Sequence, residues 1–309
     1  MPNRSILVAD DIENQTDSGR RRSRAIRNAA SFLAQRLKTG IDLVYVEDAK
    51  TYPAGKLGSF RFSAWHAKHE EQLKEAAGQF SVPVTCSLKS GSPAEQILKA
   101  MRSRSSPELV VVGTQGRKGM KRLLIGSVAE EVVRYSKRPV LVIGPIAQEL
   151  YRDMSGQKPL KLLVPTDLGK NSRAAERYAL SLAKRMGARI TLFHCLWDSI
   201  NAIIVNTAYA GMAAYDLETV IDRSRDDALE AMKRKAGFFQ KQGVACGYKV
   251  EEKALTSLCA VYQESGSGYA FVVMGTHGRN AFLNAFLGST ARETIMHATV
   301  PVITVHSGR

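Results

Sequence analysis

Two copies of one glycine pattern stand in this chain, Gly113-x2-Gly116-x9-Gly126-Ser127 and Gly275-x2-Gly278-x9-Gly288-Ser289, and every element of the second lies 162 positions after the first. Each copy follows an aliphatic run, Leu109-Val110-Val111-Val112 or Phe271-Val272-Val273-Met274, and leads into a helical pattern. Strand, glycine loop and helix start together make a recipe for holding phosphate. Glycine lets backbone approach a ligand and adopt positive φ. The first turn of a helix adds unpaired N–H donors and the positive end of its dipole. Gly-Ser before a helix also serves as plain capping; the upstream glycines, at one spacing in both copies, favour the phosphate reading.

The likeness extends past the glycines. Arg117 matches Arg279, Glu131 matches Glu293, and Pro139-Val140 matches Pro301-Val302. Upstream, Ser5 to Asp11 pairs with Lys161 to Asp167 at an offset of 156, so six residues of insertion or deletion separate the halves. A period this long is two fused globular units rather than a solenoid, and 309 residues accommodate two domains. We read residues 1–147 as the first domain, 148–158 as a linker and 159–309 as the second.

Within each half, short Val/Ile/Leu runs alternate with helical patterns. Strands are expected at 5–10, 41–46, 82–88, 109–113 and 139–143, and again at 161–166, 189–196, 246–252, 270–275 and 301–305. Apolar runs of this kind belong to parallel strands buried on both faces, which makes the fold class α/β, two tandem doubly wound parallel-sheet domains of Rossmann-like type. Ligands in such sheets bind at strand carboxyl ends, where the strand order reverses. Asp11, Asp167 and both glycine loops fall at such ends.

No run approaches the roughly 20 apolar residues of a membrane span, and no secretory pattern opens the chain, so a cytoplasmic setting is expected. Cys86, Cys195, Cys246 and Cys259 form no C-x-x-C pair and read as free core thiols. The net charge of +15 makes nucleic acid a serious alternative partner. The densest basic run is Arg20-Arg21-Arg22-Ser23-Arg24-Ala25-Ile26-Arg27, and no helix-turn-helix, zinc finger or aromatic RNA-binding signature accompanies it. A solvated basic face that attracts nucleotide is the simpler reading. No Walker A loop, G-x-S-x-G or metal-ligand spacing occurs, so the chain reads as no enzyme, with slow ATP hydrolysis at most. His194 reads as a core residue, and His66 and His69 as a solvated helix face.

With the motif Val112-Gly113-Thr114-Gln115-Gly116-Arg117, its counterpart Met274-Gly275-Thr276-His277-Gly278-Arg279 and the terminal Pro-Val strands, the chain resembles a tandem universal stress protein of the ATP-binding kind. The resemblance implies adenine-nucleotide binding, a regulatory role in the stress response and no dedicated catalysis. It places Asp11 and Asp167 at the adenine and ribose, and the backbones of Val46 and Cys195 at the adenine edge. Gly113, Gly116, Gly275 and Gly278 would line ribose and α-phosphate. Gly126-Ser127-Val128 and Gly288-Ser289-Thr290 would meet the outer phosphates, with His277 as a further donor. Mg²⁺ could accompany ATP (or ADP or AMP). Pairing of the terminal strands as an intrachain pseudo-dimer, a homodimer of tandem chains and an unidentified protein partner are further implications.

The halves also differ. Asp10 puts a second acid beside Asp11, where it would repel phosphate or coordinate a bridging cation. The turn Gly91-Ser92-Pro93 is replaced by Lys253-Ala254-Leu255, which alters the second site's shape.

Overall fold

A computed structural model of the chain describes residues 5–48, 59–102, 107–114, 125–150, 159–197, 200–201, 204, 214–253, 256–276 and 287–306. The chain divides into two compact units, Met1–Gly156 and Gln157–Arg309.

The first unit runs β1 (Ser5–Ala9), α1 (Asp17–Leu37), β2 (Gly40–Glu47), α2 (Ser59–Ala77), β3 (Val84–Ser90), α3 (Pro93–Ala100), β4 (Leu109–Gly113), α4 (Ser127–Tyr135), β5 (Val140–Ile143) and α5 (Pro145–Leu150). Its strands are parallel in the order β3-β2-β1-β4-β5. The second unit runs β6 (Lys161–Pro165), α6 (Arg173–Met186), β7 (Arg189–Cys195), α7 (Ala214–Lys241), β8 (Cys246–Glu251), α8 (Ser257–Ser265), β9 (Phe271–Gly275), α9 (Ser289–His297) and β10 (Val302–Val305). Its parallel order, β8-β7-β6-β9-β10, repeats the first. The chain reverses direction across the sheet between β1 and β4, and between β6 and β9. Both reversals lie where sheets of this kind leave a ligand crevice.

The aliphatic runs account for the central strands. Leu109 to Val112 and Phe271 to Met274 are buried throughout, as strands covered by helices on both faces must be. α1 starts where the Thr16 hydroxyl accepts from the Gly19 N–H at 3.1 Å and ends in a left-handed Lys38, φ 52°. Its apolar stripe packs on β1, β4 and α5.

Register corrects the single six-residue offset. Ser5 pairs with Gly40 as Lys161 pairs with Arg189, so the offset is 156 at β1 and 149 at β2. Ile41 pairs with Val84 as Ile190 pairs with Cys246, so it is 162 at β3. The first unit therefore carries seven extra residues before β2, and the second thirteen extra before β8, whose difference is six. The seven lie in α1, which has 21 residues against 14 in α6. Seven residues are close to two helical turns, so the buried face keeps its phase.

α5 reaches Leu150, inside the stretch read as linker. Gln148 Nε2 there donates to the carbonyls of Thr114 (3.0 Å) and Ile143 (2.9 Å), tying α5 to the carboxyl ends of β4 and β5.

Candidate functional site

In the first unit, β1 delivers Asp10 and Asp11 to the crevice, and β4 delivers Gly113. The two acids have separate partners. Asp10 is buried; its carboxylate accepts from Ser23 Oγ (2.7 Å) and Arg27 Nε (2.7 Å), both on α1. Its charge is compensated by Arg27 and turned toward α1, so it does not stand free at the mouth. Asp11 accepts from Arg22 at 2.9 Å, and the Arg22 side chain is 7% exposed against 38% for Asp11. Burial raises the Asp11 carboxyl above its ordinary range despite the pull of Arg22.

Gly113 is needed for packing. A Cβ there would stand 2.7 Å from Ile26 Cδ1 and 2.8 Å from Arg22 Cγ. Its bareness on this face admits α1 rather than a ligand.

The second unit builds the same place differently. Thr166, at the position of Asp10, donates to Glu176 Oε1 at 2.6 Å, and Lys235 Nζ meets Glu176 at 2.7 and 2.8 Å. Asp167, at the position of Asp11, accepts from the Gly169 N–H (2.8 Å) and the Ser172 hydroxyl, while Ser172 Oγ accepts from the Asp167 N–H at 3.0 Å. The carboxylate thus closes its own loop, as Asp residues ahead of helices do. Within that loop Leu168 has φ 61°, a conformation unusual for a branched residue. The Leu168 N–H donates to Thr166 Oγ1 at 3.1 Å, and its side chain packs on Leu196 and Ile200.

At both helix starts the glycine, not the serine, is the N-cap. Gly126 has φ 94° and Gly288 φ −58°; neither α4 nor α9 has a side-chain cap. The first helical bonds are Glu130 N–H to Gly126 O (2.9 Å) and Arg292 N–H to Gly288 O (3.0 Å). The preceding amides, of Ser127 to Ala129 and Ser289 to Ala291, precede the helical ladder and point outward along the axis. Ser127 and Ser289 are exposed at the first helical position, so the plain-capping role open to a Gly-Ser pair does not fall to the serine. A positive φ at Gly126 would strain any other residue. Thr114 and Thr276, after the strand glycines, are buried and donate to the Ile143 and Val305 carbonyls, fixing where each loop departs.

Val46 and Cys195 occupy equivalent buried places near the ends of β2 and β7, paired in register with Lys89 and Glu251. Gly116, Gly278 and His277 lie outside the described residues, as do Gln115, Arg117 and Arg279.

The universal stress protein family profile matches residues 2–144 and 160–306. The chain belongs to the universal stress protein family. It is 25% identical over 260 residues to a universal stress protein of Mycolicibacterium smegmatis, covering 83% of this chain and 81% of the relative. It is 30% identical over 159 residues to a putative universal stress protein of Staphylococcus saprophyticus, covering 50% of this chain and 90% of the relative. Among solved structures, a universal stress protein of Archaeoglobus fulgidus shares the fold with a TM-score of 0.67 at 18% identity, covering 99% of this chain and 97% of that one.

Against this tandem universal stress protein frame, several residues that pattern reading placed on the surface lie inside. Arg22 and Arg27 are drawn from the basic run to neutralise Asp11 and Asp10, leaving Arg20, Arg21 and Arg24 exposed. The signal was present in α1: Gly19, Arg22, Ser23 and Ile26 fall on its apolar stripe at helical spacing. His69 is fully buried instead of lying on a solvated face. Its Nδ1 lies 2.9 Å from Glu47 Oε1, Glu47 Oε2 receives His66 (3.0 Å) and Ser90 (3.1 Å), and Trp65 packs edge-on at 4.5 Å. Burial alone would raise the Glu47 carboxyl; the bonds from His69, His66 and Ser90 outweigh it and hold the group below its ordinary value. In the second unit the position equivalent to Glu47 is Leu196, which has no carboxylate to gather such a cluster. His194 is a core residue, with Nδ1 2.9 Å from the Thr166 carbonyl.

Cys195 and Cys246 are buried thiols; Cys86 is exposed and Cys259 half-buried, so the core reading fails for those two. No helix of the described residues is long and apolar enough to cross a membrane.

Proposed function

We propose that this tandem universal stress protein binds an adenine nucleotide, ATP foremost, and acts as a regulatory nucleotide sensor in the stress response. One observation carries the reading: each unit puts a glycine-capped helix start, without a side-chain cap, beside the point where strand order reverses. Ser127 and Val128, or Ser289 and Thr290, would give the outer phosphates backbone N–H donors and hydroxyls. The backbones near Val46 and Cys195 would meet the adenine edge, and Asp11 or Asp167 the ribose hydroxyls. No cluster of three His, Cys, Asp or Glu side chains among the described residues converges on a metal position. Mg²⁺ would accordingly enter on the phosphates. The role proposed is binding rather than turnover, in keeping with the amides and acceptors that the described residues gather here.

The competing reading, a basic nucleic-acid-interacting stress protein in which ATP is incidental, loses support from the burial of Arg22 and the pairing of Arg27 with Asp10. A fluorescent ATP analogue separates the two. The nucleotide reading expects saturable binding displaced by ATP and weakened by Gly126→Asp with Gly288→Asp. Binding displaced by oligonucleotide, steeply salt-dependent and indifferent to those changes would favour nucleic acid.

A further inference from the structure

We infer that the second unit carries a further anion site: a cleft at the amino ends of its strands that takes a phosphate group, free or borne by a small molecule. The nucleotide crevice of that unit lies at the opposite, carboxyl ends, so the two readings stand or fall separately.

The cleft, of about 410 Å³, is lined by Lys161, Arg189, Thr191, Gln240, Cys246 and Tyr269 among others. Lys161 and Arg189 are register partners at the starts of β6 and β7, so their side chains leave the sheet side by side on one face. Both are exposed, and among the described residues neither has an acidic partner. Glu264, which accepts from the Tyr269 hydroxyl at 2.9 Å, is itself committed to Lys249. Two cations set opposite each other disfavour the folded chain; a dianion between them turns the repulsion into attraction. Their donors suit phosphate, since the guanidinium fork meets two oxygens at once and the ammonium adds a point charge. Gln240 Nε2 donates to the Cys246 carbonyl at 2.7 Å, which ties α7 to the start of β8. Cys246 and Tyr269 are each 7% exposed and give the organic body of a phosphate ester an apolar floor.

The first unit fills the same register positions with the opposite polarity. Ser5 and Gly40 stand where the second unit has Lys161 and Arg189, and Asp42 stands where it has Thr191. Ser5 Oγ donates to Asp42 Oδ2 at 2.5 Å, so an acid closes on its own neighbour there. The cation pair is thus a feature of the second unit's own sequence rather than a requirement of the shared fold.

The test follows backbone amide resonances of the full chain, titrated with inorganic phosphate and with glycerol phosphate at one low ionic strength, because exposed charges are screened by salt. Saturable shifts are expected at the amides of Lys161, Arg189 and Gly247. Lys161→Met with Arg189→Met, which keeps both stems and removes both charges, is expected to weaken binding at least tenfold; a thermal melt establishes that the variant is folded. Binding is expected to persist in the chain carrying Gly126→Asp and Gly288→Asp. Tighter binding of glycerol phosphate than of free phosphate assigns the apolar floor to the ester's body, and equal binding assigns the site to the phosphate group alone. Shifts that grow without saturating, that survive loss of both cations, or that vanish with the two glycine changes overturn the inference. None of these outcomes bears on whether ATP binds at the glycine-capped helix starts.

Discussion

Gly113 and Arg22 share one space: the Cβ that Gly113 lacks would come within 3.0 Å of Arg22 Cγ and Cδ. This contact lets α1 lie close over β4 and lets Arg22 reach Asp11. Gly113→Ala is therefore an overpacking change, expected to cost about 1–3 kcal/mol. Chemical denaturation would measure it. Arg22→Ala in the same background should recover part of the loss, because it removes Arg22 Cγ and Cδ while Ile26 Cδ1, at 2.7 Å, still crowds the added methyl.

Asp10 and Arg27 form a pair in which the carboxylate is fully shielded. Arg27→Met would leave that charge buried with only Ser23 Oγ, and we expect a loss of about 3–5 kcal/mol. Adding Asp10→Asn to Arg27→Met should return part of it. A double-mutant cycle by urea unfolding checks the coupling.

Glu176 of α6 accepts both from Thr166, just past β6, and from Lys235 of α7. Lys235→Met leaves the Glu176 carboxylate with one neutral donor among the described bonds, a loss of about 1–3 kcal/mol. Glu176→Gln with Lys235→Met should be milder than Lys235→Met alone. Thermal melts of the three variants at matched pH would rank them.

Glu47 ties stability to pH. Its carboxyl is held below the ordinary value in the folded chain, so its contribution is present above the unfolded value, 4.5, and is lost as pH falls through the folded value. Glu47→Gln should flatten the acid limb of a stability-against-pH curve while leaving the neutral-to-alkaline limb in place. Equal acid slopes in both proteins would contradict the assignment.

The thiols should differ in reactivity. Burial pushes the Cys246 thiol up to about 12, and it pushes Cys86 up as well, though Cys86 is exposed. At pH 8 an alkylating reagent should modify Cys86 well before Cys246, whose thiolate is scarce and shielded. Peptide mass mapping over a time course reads the order.

The strands and both helix starts were legible in the sequence because aliphatic runs and glycines act locally, whereas the strand order within each sheet is set by packing. A Leu109-to-Val112 run needs cover on both faces wherever it sits. Burial of charge was legible only in part: spacing puts Arg22 on the apolar stripe of α1, but it does not name the acid beneath. Arg22 and Arg27 look like members of a solvated run until β1 places Asp10 and Asp11 beneath α1, and that contact depends on packing across the fold. His69 was missed for the same reason: its partner Glu47 lies on another element, 22 residues away. Residue type alone suits the serines of the two Gly-Ser pairs to capping; backbone geometry gives that place to the glycines. The paired insertions, seven residues in one unit and thirteen in the other, were hidden because one sequence reports only their difference.

Calorimetric titration of the nucleotide-free chain with Mg-ATP, beside the variant carrying both Gly126→Asp and Gly288→Asp, tests the central claim most directly. The account predicts saturable heat in the unmodified chain and none in the variant, with both proteins folded by their melting curves. Equal heats in the two, or none in either, would contradict nucleotide binding at the glycine-capped helix starts.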